Sequence, residues 1–158
     1  METYLDVLCV GHASYDLVFA VDHHPGADEK TFAEKFISCG GGPAANAAVT
    51  VSRLGLKSAF AGHLGNDFFG QRHFEEFSRE AVNTDLIVRG DSPTPLSAIL
   101  VKPDGRRTVV NYKGATPPLP ADCIDLAKWH PQVILFDGHE PEISLALMKA
   151  INGRGIST

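Results

Sequence analysis

Short apolar runs alternate with helix-periodic stretches along this chain, and glycines mark most of the joints. Tyr4 to Val10 reads Tyr-Leu-Asp-Val-Leu-Cys-Val and stops at Gly11, the pattern of a strand buried in a parallel sheet. Leu17 to Val21 continues extended until His23-His24-Pro25-Gly26, and Lys35 to Cys39 is another extended piece ended by Gly40-Gly41-Gly42. A helix is predicted next. Pro43 suits its first turn, where a missing N–H costs nothing; Ala44 to Leu54 follows, and Gly55 stands where a left-handed cap belongs. Apolar residues cover most of that helix's circumference, which predicts a helix sunk in the core. Ser58 to Leu64 is strand-like, and Asn66 or Asp67 can cap a helix over 68–82 with Phe74, Phe77 and Ala81 on one face. Ser97 to Lys102 and Arg107 to Tyr112 flank Pro103-Asp104-Gly105-Arg106, a hairpin signal because Pro fixes φ and Gly accepts positive φ. Gln132 to Phe136 reads as a buried strand and Ile143 to Ile151 as a helix closed by Gly153.

Strands alternating with helices predict an α/β domain with a mostly parallel sheet. Two extended stretches break that alternation and are expected to form a small separate β-sheet. The implied division is 1–16, 41–93 and 115–158 for the α/β core, and 17–40 with 94–114 for the small sheet. Gly155-Ile156-Ser157-Thr158 reads as the opening of one more strand. A sheet entered but not closed leaves open edges, so the chain is expected to be part of a longer fold.

Composition narrows the partners. The 158 residues suffice for one domain with a core burying roughly 70% of the unfolded surface. With a net charge of -5, the nearest thing to a basic cluster is Lys102 with Arg106 and Arg107. Nucleic acid and anionic membrane are therefore not expected as partners. No apolar run approaches the ~20 residues that span a bilayer, and Glu2 and Asp6 stand where a secretory leader carries Lys or Arg. A cytoplasmic protein is expected. Cys9, Cys39 and Cys123 are odd in number and lack CxxC spacing, so buried thiols are expected rather than disulfides. The seven histidines make neither HxxxH nor HExxH, and no structural metal is expected.

The chemistry concentrates in Gly40-Gly41-Gly42-Pro43-Ala44-Ala45-Asn46. Glycine lets backbone approach a ligand, and the following helix offers N–H groups to an oxygen-rich partner. Asn46 is a lone strongly polar residue there; its amide could meet sugar hydroxyls or simply bond to backbone, with the glycines making a tight turn. Gly40-x-Gly42-x-x-Ala45 also fits a dinucleotide-binding pattern. Against that, Lys35 to Cys39 is half-polar, and the first plausible ribose acid, Asp67, lies 21 residues past Asn46. Asp16 follows the first strand, near the strand ends where open α/β sheets bind ligands. A carboxylate there could hold a polyol or could be a solvated loop residue.

Gly11-x-x-x-x-Asp16, Gly40 to Ala48, Leu54-Gly55 and Gly62-His63-Leu64-Gly65-Asn66-Asp67-Phe68-Phe69-Gly70 together resemble, in order and spacing, the N-terminal signature of the ribokinase-like (PfkB-type) carbohydrate kinases. The resemblance implies an α/β core with a small β-sheet lid over a sugar site, the C-terminal half of the fold being absent. It implies that Asp16, Gly41, Gly42 and Asn46 hold substrate hydroxyls, with His12, Ser14 and Asn111 near the site and Tyr112, His139 and Glu140 within possible reach. The Gly65–Gly70 stretch is expected to be mainly structural. The glycine-run variant resembles the fructokinase and sulfofructose-kinase side of the family, and Pro43 stands where ribokinases carry Lys. The family's catalytic Asp, in a Gly-Ala-Gly-Asp motif, has no counterpart here. ATP and Mg2+ are thus implied for a longer enzyme and no catalysis by this chain alone. A homodimer through the lid is implied by analogy. The alternative is a standalone sugar-binding or interaction module.

Overall fold

A computed structural model describes residues 2–158, which contain eight strands and three helices. They run β1 (Thr3–Val10), β2 (Ser14–Ala20), β3 (Lys35–Gly41), α1 (Pro43–Arg53), β4 (Ser58–Gly65), α2 (Phe68–Arg79), β5 (Ile87–Gly90), β6 (Leu96–Val101), β7 (Arg107–Tyr112), β8 (Trp129–Phe136) and α3 (Pro141–Ala150). Two sheets form, ordered β5-β4-β1-β8 and β3-β2-β6-β7.

The first sheet is parallel throughout its pairings. Alternation along its strands builds one core on each face. Leu8, Val10, Ala59 and Ala61 pack with Ile134, Ile143 and Leu147 on the α3 side. Cys9, Phe60 and Leu64 pack with Ala44, Ala45, Ala48 and Phe77 on the side of α1 and α2. Each helical layer thus covers an apolar sheet face, as a parallel sheet requires.

The second sheet is mixed: β2 pairs antiparallel with β3 and parallel with β6, and β6 pairs antiparallel with β7. It is built from the two out-of-pattern stretches, together with β2 residues from Ser14 onward. The seam between the sheets is pinned at Asp67, the N-cap of α2. Its carboxylate accepts from Gly70 N at 2.7 Å, Thr94 N at 2.7 Å and Thr94 Oγ1 at 2.8 Å, while Gly65 N donates to Thr94 Oγ1 at 3.0 Å. The Gly65–Gly70 motif joins β4, α2 and the entry to β6.

Several elements differ from expectation. Helix α1 is not sunk in the core: only Ala44, Ala45 and Ala48 are fully buried, and Leu54 is 73% exposed. Alanines let one face lie close on the sheet, and the other face stays outside it. Helix α2 stops at Arg79 rather than Val82 because the chain reverses at Ala81, whose φ is 56°. Strand β5 escaped the pattern because it has four residues, one of them Arg89. That guanidinium donates to Gly65 O at 2.8 Å and lies over Phe74. Of the thiols, Cys9 is buried while Cys39 and Cys123 are half-buried. Ser157 makes an isolated parallel bridge with Val133, so the last residues do lie beside β8.

Candidate functional site

The carboxyl ends of β1 and β8 face the small sheet across a cleft of about 510 Å³, where open α/β sheets bind their ligands. Two groups of polar residues meet there.

One group is organised by Asp137, which follows β8 and has a side chain only 4% exposed. Its oxygens accept from the backbone N–H of His12 at 2.8 Å, Ala44 at 3.1 Å and His139 at 2.9 Å. Burial acts to raise its pKa, but these N–H donors outweigh it and hold the carboxyl below the usual range. Asp137 thereby ties β1, α1 and β8 together. It also answers the question of the helix N-terminus. Pro43 has no N–H, Ala44 donates to Asp137, and Asn46 N donates to Gly42 O at 2.9 Å. The Ala44 N–H is therefore taken by the protein and is not free for a ligand. The carboxylate that meets the positive end of this helix is the protein's own.

The other group lies on the small sheet. Asp16 sits within β2 rather than in a loop beyond the first strand. In register it pairs with Ser97 on β6, and Ser97 pairs with Asn111 on β7. Residues directly opposite across a sheet point to one face, so a carboxylate, a hydroxyl and an amide form a row, and all three line the cleft. Ser14, two residues before Asp16, is on the same face and donates to its Oδ1 at 3.0 Å.

Six of the seven candidate residues line this one cleft: His12, Ser14, Asp16, Gly42, Asn46 and Asn111. Gly41 does not. A Cβ on Gly41 would overlap the Asp16 carboxylate, and one on Gly42, at φ 101°, would strike the His12 carbonyl. These glycines let parts of the protein approach each other and so fix where Asp16 stands. Asn46 is exposed at the cleft, not a buried amide seeking partners. Tyr112 and His139 also line it, whereas Glu140 lines a neighbouring cleft and accepts from Leu119 N at 2.8 Å. The sequence reading missed Ser97, Lys113 and Asp137. A single polar residue inside the apolar β6 pattern was the available signal for Ser97; Asp137, directly after a buried strand, had no signal beyond its position.

The His12 and His139 rings stack with centroids 4.8 Å apart. Burial lowers the His12 pKa, helped by His139 and Lys113 and opposed by Asp137 and Asp16. Among the described residues no group of three or more His, Cys, Asp or Glu is disposed to hold a metal ion, and no helix is long and apolar enough to cross a membrane.

The pfkB family carbohydrate kinase model matches residues 5–149. A nucleoside kinase of Methanothermobacter thermautotrophicus is 30% identical over 129 residues, covering 78% of this chain and 42% of that protein. The crystal structure of ribokinase from Thermotoga maritima superposes with a TM-score of 0.78 at 28% identity, over 94% of this chain and 50% of that one. Fructokinase from Xylella fastidiosa gives 0.72 at 26%, over 96% and 48%. The chain thus spans about half the length of these relatives, and the three differ in the substrate their names carry. With that match across nearly its whole length, on an α/β fold of the same build, this chain belongs to the pfkB family of carbohydrate kinases.

Proposed function

We propose that this chain is the substrate-binding portion of an ATP-dependent sugar kinase that transfers a phosphoryl group to a sugar hydroxyl. The observation that carries it is the row Asp16, Ser97 and Asn111, drawn from three strands of the small sheet and facing Asn46 and Gly42 across one cleft. A carboxylate accepts hydrogen bonds from two adjacent hydroxyls, an amide both donates and accepts, and this donor set suits a polyol. In the transfer, the sugar oxygen bonds to the γ-phosphorus, the bond from that phosphorus to ADP breaks, and the hydroxyl proton passes to a base. No residue of this chain is assigned as that base. In this reading ATP and Mg2+ are held by residues outside this chain. Bound there, they would supply the phosphoryl group and neutralise its charge; this chain's part is to bind and orient the sugar.

Two further features go with this reading. The small sheet leaves Phe36 57% and Val110 67% exposed on the face turned away from the Asp16 row, an apolar surface that a second copy would cover in a homodimer through the lid. The reaction belongs where ATP is, in the cytoplasm. The test has two parts: ADP release by the complete polypeptide with a panel of sugars, and calorimetric sugar binding by this chain. Asp16→Ala is expected to weaken sugar binding about 100-fold, since it removes hydrogen bonds to a charged acceptor, while changing stability by less than ~1 kcal/mol. Sugar binding without ATP consumption by the complete polypeptide would instead leave a standalone sugar-binding module.

A further inference from the structure

Two histidines, His12 and His139, line both the main cleft and a smaller one of about 140 Å³ beside it. Asp137 holds them both. Its Oδ2 accepts the His12 N–H at 2.8 Å, its Oδ1 accepts the His139 N–H at 2.9 Å, and Oδ1 also lies 3.2 Å from His139 Nδ1. A carboxylate at Nδ1 favours a proton there and so fixes how that ring stands. The His139 ring in turn stacks on the His12 ring, with centroids 4.8 Å apart and planes 21° from parallel. One enclosed carboxylate thus sets the loops after β1 and β8 together with the ring that supports His12.

The surroundings of His12 resist a charge on it. Burial, His139 and Lys113 oppose protonation, against the carboxylates of Asp137 and Asp16. From α2, buried His73 also feels a charge on His12, and His63 and Glu140 line the adjoining cleft. Of the two carboxylates, Asp137 is committed to its backbone donors. Asp16 is the open one, with Ser14 as its single protein donor among the described residues. His12 and Asp16 line the same cleft. A proton on His12 would therefore make that ring a competitor for Asp16, the acceptor that the hydroxyl row depends on.

We propose that His139 is a positioning residue that holds the His12 ring as an uncharged wall of the sugar cleft, and that sugar binding is lost when His12 takes up a proton. This deepens the sugar-kinase reading by giving its site a proton-linked control, and it rests on that reading. His139 acts through the stack, and His12 acts through Asp16.

The experiment is isothermal titration of this chain with D-ribose and D-fructose at pH 7.5 and pH 5, with circular dichroism showing the fold intact at both. A sugar that binds at pH 7.5 is expected to bind about fivefold more weakly at pH 5. His12→Gln, which cannot take up the proton, should bind equally at the two pH values. His139→Ala should weaken binding at pH 7.5 about fivefold, and His139→Phe, which keeps a ring in the stack, should restore it. The Phe variant also removes a charge that opposes protonation of His12, so its acid loss should begin at a higher pH than in the native chain. A residue that only held the fold would not move that point. Equal binding by the native chain at pH 7.5 and pH 5, or an acid loss that survives in His12→Gln, would overturn the inference and leave the sugar site standing. No binding of either sugar by the folded chain at pH 7.5 would overturn the sugar reading and this inference with it.

Discussion

At the mouth of the parallel sheet, Asp137 takes N–H donors from His12, Ala44 and His139 and is almost wholly enclosed. Across the cleft on the small sheet, Asp16 has one protein donor among the described residues, Ser14. Ser97 and Asn111, in the same row, have none. Both regions bring carboxylates to the same space, yet one uses its polar groups to hold the fold and the other leaves them open. A carboxylate that is satisfied by the protein is architecture; one held in place but left partly unpaired can bind. Proximity to the cleft alone would not have separated the two.

The largest test of that distinction falls on Asp137. Asp137→Ala strands the part-buried N–H groups of His12 and Ala44, each costing about 1–3 kcal/mol without a partner, and frees the exposed His139 N–H to water. A loss of about 4 kcal/mol in urea denaturation is expected, against less than ~1 kcal/mol for Asp16→Ala. Because the folded pKa of Asp137 is depressed, its contribution is complete above the unfolded carboxyl pKa of about 4 and is lost as pH falls through the lower folded value. Asp137→Asn should therefore flatten the acid limb of the stability profile below about pH 4. Equal stability losses at Asp16 and Asp137 would erase the comparison.

His73 sharpens it from the other direction. This residue on α2 is 2% exposed, stacks on Phe77 and fills the space against Gly40, where a Cβ would overlap its ring. It is a polar group at the seam of the two sheets that takes part in neither the fold's hydrogen bonding through Nδ1 nor the cleft. Burial pushes its pKa down to about 4. A histidine neutral in the fold but ready to protonate when unfolded loses stability as pH falls from about 6.5 to about 4. The linked loss is about 3 kcal/mol over that window. His73→Phe should remove most of this slope while leaving sugar binding in place, measured by denaturation at pH 7 and pH 4.5.

What could be read from the residues follows the range of the interactions. The strands and helices were legible because burial imposes its period locally. Asp16, Gly42 and Asn46 were legible because their spacing matches a family signature. Their physical roles were not. Gly41 and Gly42 make room for Asp16 and His12, which depends on how β2 lies against β3. Helix α1 looked enclosed because alanine is apolar in composition, whereas its small size is what matters to packing on one side. Ser97 and Asp137 were missed because their partners come from distant segments, through a parallel register and through backbone donors that no side-chain pattern reports. Lys113 gains meaning only where the end of β7 meets the loops after β1 and β8.

The smallest effect belongs to Ser97, and it decides whether the row binds as a unit. Ser97 sits between Asp16 and Asn111 in register and is 9% exposed. If the three contact one polyol, Ser97→Ala removes a neutral hydrogen bond worth about 1 kcal/mol and weakens binding roughly fivefold. Its thermal midpoint should shift by no more than a few degrees, since Ala fits any strand position a Ser occupies. The double variant with Asn111→Ala adds a second condition. Neighbouring contacts to the same ligand are coupled, so the paired loss should differ from the sum of the single losses. Strict additivity, with each residue acting on binding independently, would mean that the small sheet offers separate polar positions and not one surface for a sugar.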